Sequence, residues 1–371
     1  MANASRSGAR GRGEKNLRRW SAWLLAAFVA GFLPQAGIAA PQAILSHPVA
    51  QSLRAAGQGV GGQADGLTYA VVVTGLDGDQ EYGKLIQGWS KDLYSILERD
   101  GIAEDRLFWL AANRQAGVHG ESRREQISRL LEDLAARIRT QDVFQLFLIG
   151  HGSYDGYDYR FDIPGPDLTA SQWGELLGQI RAERQVVMNM TSSSGASLLP
   201  WRQKGRMVIV ATSSGRERNF SVFPRYFTEA LQNPASDADK NQAISALEAF
   251  RYATREVARY YESLKRLATE HALLEDTGEG EGTREASPDN RQGLLAASIV
   301  LRRLGGSSAT AETPEIRELR AQKRQLEEAI EQLKYRKASM NTEEYQEQLE
   351  KLLLELAKTQ QRLEELEKKL N

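Results

Sequence analysis

The chain contains no cysteine. Disulfides, thiolate metal ligands and cysteine nucleophiles are therefore excluded. Histidine is scarce: His47, His119, His151 and His271 are the only four, and no two stand at metal-ligand spacing. No surplus of either charge exists, with 48 Lys and Arg against 49 Asp and Glu, so the balance does not ask for nucleic acid or an acidic polymer. No apolar run reaches the ~20 residues that span a bilayer as a helix. The longest, Trp20 to Phe32, follows a basic stretch holding Arg6, Arg10, Arg12, Lys15, Arg18 and Arg19, and precedes the small residues Gly37-Ile38-Ala39. This order reads as a secretory signal peptide over 1–39, so the remainder is expected to be exported, to a periplasm or to the outside. Membrane attachment is expected only if that segment stays uncleaved. Residues 40–65 read as a flexible lead-in.

What is present is a series of short apolar blocks. Tyr69-Ala70-Val71-Val72-Val73-Thr74, Leu107 to Leu110, Val143 to Ile149, Gln185 to Asn189 and Arg206 to Val210 each end in Gly or small polar residues. Such blocks are the signature of buried parallel strands. Amphipathic helical spacing separates them, over Lys84 to Arg99, Ser122 to Ile138 and Trp173 to Ile180. The alternation predicts an α/β domain over 66–303 with a mostly parallel central sheet. Ligands of such sheets sit beyond the carboxyl ends of the strands, which is where His151 and Ser192 fall. The stretch Tyr157, Tyr159, Phe161 alternates like one arm of a hairpin. The spacing after Ile244 predicts a helix to about Leu274. The Gly-rich residues 278–282 and the stretch 287–293 read as flexible, and the apolar piece Leu294 to Leu301 fits helix or strand equally.

A strand ending in His151-Gly152, followed by a strand ending in Thr191-Ser192-Ser193-Ser194-Gly195, resembles the caspase/legumain clan of cysteine peptidases. The resemblance implies a caspase-like three-layer sandwich. It places the family's catalytic His on His151 and its Cys on Ser192, with the Gly152 N–H as an oxyanion donor. Legumain-like members carry an Asn after the first strand, where this chain has Asp77, a residue that could orient His151. The family's substrate-recognition segment would correspond to Arg216 and Arg218. Because serine replaces the sulfur, the resemblance implies an inactive homologue that binds peptide or protein. The alternative is an active hydrolase using a Ser192–His151 dyad, since a hydroxyl beside an imidazole can be activated.

Two further patterns stand apart from the sheet. Asp237, Asp239, Asn241, Ser245 and Glu248 occupy ligand positions of a twelve-residue calcium loop, although Gln242 stands where the sharp turn favours Gly. No cofactor is required by the sheet's residues; calcium is the one this loop offers. After a linker at 304–313, leucines and isoleucines recur at 3,4 spacing through 314–371, with a phase break near Ser339 to Glu344. This predicts a coiled-coil hairpin, able to associate with itself or with a partner helix, and so permits a third reading, a calcium-responsive scaffold.

Overall fold

A computed structural model describes residues 66–113, 116–304 and 313–370. The expected signal peptide, the lead-in and nearly all of the linker lie outside the described residues. A seven-stranded sheet forms the centre. Its strands are β1 (Thr68–Thr74), β2 (Leu107–Ala111), β3 (Gly120–Glu121), β4 (Val143–Ile149), β8 (Arg184–Asn189), β9 (Arg206–Val210) and β11 (Leu273–Glu275). They lie side by side in the order β11-β9-β8-β4-β1-β2-β3, all pairs parallel except β11 with β9. The strands are buried on both faces, which explains their continuous rather than alternating apolar character.

Helices cover both faces. On one, Ala70 and Val72 pack with Ile86, Leu93 and Leu97 of α1 (Gln80–Arg99) and with residues of α5 (Phe223–Gln232) and α6 (Ala246–Ser263). On the other, Val71 and Val73 pack with Ile127, Leu131 and Leu134 of α2 (Arg124–Arg137) and Trp173 and Leu177 of α3 (Ala170–Gly178). The helix α4 (Leu198–Trp201) is a single turn. A small antiparallel sheet follows β4, made of β5 (Gly152–Tyr154), β6 (Tyr159–Phe161) and β7 (Leu168–Thr169), so the predicted hairpin arm forms.

Three local expectations are corrected. The helix that begins after Ile244 stops at Ser263, where Leu264 and Lys265 form its C-terminal turn; β11 then occupies Leu273–Glu275. The Gly-rich stretch is ordered by the fully buried Glu275, whose carboxylate accepts from the N–H groups of Thr277, Gly278 and Gly280. The apolar piece is both elements in turn, α7 (Leu294–Ser298) and then β12 (Val300–Arg303), which pairs with β10 (Ala243–Ser245).

At the C-terminal end, α8 (Pro314–Arg336) and α9 (Thr342–Leu370) lie against each other. Ion pairs Arg320–Glu367 and Arg362–Glu315 join the beginning of α8 to the end of α9. The break falls where the apolar phase changes, and Asn341 accepts from Glu343 N–H as α9 begins. Ile316, Leu326, Ile330 and Leu333 of α8 are buried. Tyr335 donates to the Gln292 carbonyl at 2.7 Å, fixing α8 to the main body.

Candidate functional site

β4 and β8 are neighbours, with Leu148 opposite Asn189, so His151 and Ser192 emerge at adjacent strand tips. Their side chains do not hydrogen-bond to each other. The Ser192 hydroxyl accepts the Gly152 N–H at 3.1 Å and donates to the Gly152 carbonyl at 2.9 Å. Ser192 is only 2% exposed, and the N–H expected as an oxyanion donor is thus already engaged by the expected nucleophile. A Cβ on residue 152 would lie 2.7 Å from the Ser192 carbonyl oxygen, so only glycine permits this approach. Deeper in, Tyr159 donates to Asn189 at 3.1 Å and meets Thr191 at 2.7 Å, while Asn189 donates to Ser197 at 2.9 Å. Burial drives the Tyr159 phenol far above its ordinary range. This network holds the β8 tip rigid beneath Ser192.

His151 Nε2 lies 3.2 Å from the Asp77 carbonyl oxygen. The Asp77 carboxylate turns away, accepting from Gln87 at 3.2 Å and from Asn113. Asp77 therefore meets His151 through its main chain. The imidazole sits among rings, 5.5 Å from Phe220 and 6.0 Å from Tyr82, with Phe220 stacked on Tyr82 at 4.2 Å. Burial raises the pKa of Asp162, whose carboxyl lies close enough to His151 to interact with it.

The next tip along the sheet holds a different arrangement. Glu217 Oε1 lies 2.5 Å from His271 Nδ1 and accepts the Ser213 hydroxyl at 2.9 Å. Its Oε2 accepts the N–H groups of Ser213 at 2.7 Å and His271 at 3.1 Å. The Glu217 carbonyl accepts the Ser193 N–H at 2.8 Å. Ser193 is buried with a left-handed φ of 58°, and its hydroxyl has no partner. Nothing in the sequence joins Glu217 to His271, which lies 54 residues away and follows no motif. Arg216 and Arg218 are exposed on the same loop; Arg218 donates to the Tyr154 carbonyl at 3.2 Å.

The calcium-like loop is organised around three carboxylates. Oxygens of Asp237, Asp239 and Glu248 lie within 4.8 Å of one another, close enough to hold a metal ion. Burial, then the Glu248 charge, pushes Asp239 up to about 6. Gln242 adopts φ 67°, the conformation for which Gly is ordinarily chosen. Asn241 donates to Asp239 and its side-chain oxygen accepts the Ala243 N–H at 2.8 Å. Ser245 and Glu248 form a reciprocal capping box at the start of α6, so Glu248 serves the helix as well as the loop. Lys323 of α8 reaches the Asn241 carbonyl at 3.5 Å, bringing the loop against the C-terminal helices.

Compared with protein-family models and with curated proteins, the chain matches none.

Proposed function

We propose that this protein is an exported, catalytically silent homologue of caspase/legumain-type peptidases that binds peptide or protein segments at the carboxyl edge of its sheet. In this reading the central sheet with helices on both faces is the caspase-like sandwich, and α8 with α9 form a coiled-coil hairpin for assembly. The observation that carries the proposal is the Ser192 hydroxyl held between the N–H and C=O of Gly152. An attacking hydroxyl must give its proton to a base, and here the proton goes to a carbonyl. A tetrahedral intermediate needs a free N–H donor, and here that donor is occupied. The absence of cysteine removes the alternative sulfur nucleophile. A serine-reactive fluorophosphonate probe tests the proposal: no label at Ser192 is expected. Labelling that disappears in His151→Ala would overturn it in favour of an active serine hydrolase.

A second reading is favoured by the three clustered carboxylates, in which calcium holds the 237–248 loop and its contact with α8. The donors suit a hard cation, being carboxylate and amide oxygens. Asp237, Asp239 and Glu248 would supply charge, with Asn241 and Ser245 beside them. Calcium would then raise the melting temperature of the parent chain but not of Glu248→Gln. Equal shifts in both would remove this reading.

A further inference from the structure

The end of α6 presents apolar side chains outward from a rigid base. Leu264 is 45% exposed and Leu267 is 90% exposed. An exposed apolar patch rimmed by polar residues marks a site of interaction with a protein or a membrane. The loop is well held. Arg266 N–H bonds to the Tyr261 carbonyl and Lys265 N–H to the Glu262 carbonyl, the paired bonds of a Schellman turn. Three residues beyond Leu267, the buried Glu270 accepts from Ser221, Val222, Phe223 and Tyr261, and Tyr261 also meets Thr269. The left-handed position of that turn, φ 54°, ordinarily belongs to Gly, yet Lys265 fills it. A cation therefore stands at the tip at the cost of some backbone strain.

Charge surrounds the two leucines on one side. Lys265 and Arg266 are exposed at the tip and make no ion pair among the described residues. Arg225 lies over the Tyr226 ring, which meets Tyr260, one helical turn before Leu264. Glu262 stands in the turn itself, and Glu229 and Glu256 lie near Tyr226, with Glu256 paired to Arg255 and Arg259. Exposed leucines flanked by exposed cations match the two layers of an anionic lipid surface, acyl chains beneath phosphates. We propose that this loop, independently of any chemistry at the sheet edge, docks the folded protein on an anionic lipid surface. Leu264 and Leu267 enter the acyl boundary, while Lys265, Arg266 and Arg225 meet the phosphates. Apolar burial and attraction to anionic headgroups are the two terms that hold such a segment at an interface.

The lack of cysteine makes a direct test available. Leu267→Cys in the full chain is labelled with a nitrobenzoxadiazole dye and mixed with phosphatidylcholine vesicles containing one third phosphatidylglycerol. The apolar N-terminal stretch could hold the whole chain on a vesicle, but the dye reports the loop itself. Its emission is expected to shift to the blue and brighten several-fold, and to stay unchanged with pure phosphatidylcholine; the same dye at Gln361→Cys on α9 is expected to be silent. In co-sedimentation, Leu264→Gln with Leu267→Gln should lower partition by about tenfold or more. Lys265→Gly should lower it by about fivefold while raising the melting temperature, because glycine relieves the turn. A dye at 267 that does not respond, or that responds no more than the dye at 361, overturns the proposal and leaves a protein pocket as the tip's partner. Unchanged partition of the double leucine variant also overturns it.

Discussion

Two neighbouring tips of one sheet contain the same residue types and use them differently. At β4 and β8, an imidazole and a hydroxyl lie on adjacent strands without meeting: His151 faces a carbonyl, and Ser192 closes on Gly152. At β9 and β11, one carboxylate gathers an imidazole, a hydroxyl and two N–H groups. The lesson is that adjacency does not make a catalytic pair. An imidazole is fixed as a base when a carboxylate orients it, and here the carboxylate serves His271 rather than His151.

The comparison can be broken most readily at Glu217. Glu217→Ala leaves two N–H groups, a hydroxyl and an imidazole without their acceptor, and should cost about 3 kcal/mol in urea unfolding. A loss below about 1 kcal/mol would mean that this tip is no more tightly held than its neighbour. Ser192→Ala should cost about 2 kcal/mol, because both main-chain groups of Gly152 lose their partner in a half-buried site. A neutral result would indicate that water replaces the hydroxyl, and that the tip is wetter than its geometry implies.

The acidic loop supplies the contrasting carboxylate, one that faces other acids rather than donors. Asp239 is raised from 3.8 to about 6. The folded protein therefore holds this proton more tightly than the unfolded chain does. Its stabilising contribution is complete below the unfolded value and is lost as pH rises through about 6. Melting temperature should fall slightly between pH 5 and pH 7, and Glu248→Gln should flatten that slope. Asp239 keeps much of its surface in water even though its carboxyl is partly sheltered, so solvent screening keeps the effect small. Smallest of all is His151→Phe, expected to change stability by about 0.5 kcal/mol or less, since the new ring can rest against Tyr82 and Phe220. A loss above about 2 kcal/mol would show that the bond to Asp77 anchors the first strand's loop.

Much of the architecture was legible because burial imposes simple patterns. Strands covered on both faces must be apolar throughout, and helices packed on one side must repeat at 3,4 spacing; both appear in the chain. The break between α8 and α9 was visible in the same way, from the change of phase around Asn341. What escaped was information carried by single long-range contacts. Glu275 orders a glycine-rich stretch by collecting N–H groups, which composition alone reports as loose. The turn after Ser263 depends on Lys265 taking a backbone conformation that its side chain disfavours. His151 and Ser192 were readable as neighbours, because strand order follows from crossover rules. Their hydrogen-bond partners were not, because an angle about one side-chain bond decides them. Glu217 and His271 were invisible as a pair, since strand β11 runs against the others and returns its first residues to the carboxyl edge.

The outermost strand on that side has one more consequence. Strand β11 pairs with Val208 to Val210 on one flank and, through Leu274, with Thr283 on the other, and the opposite border of the sheet is the two-residue β3. Each border is thus stopped by the chain itself, leaving no long row of open main-chain groups to recruit a strand from another molecule. Among the described residues, extension of the central sheet by a strand from another molecule is therefore hindered at both of its borders.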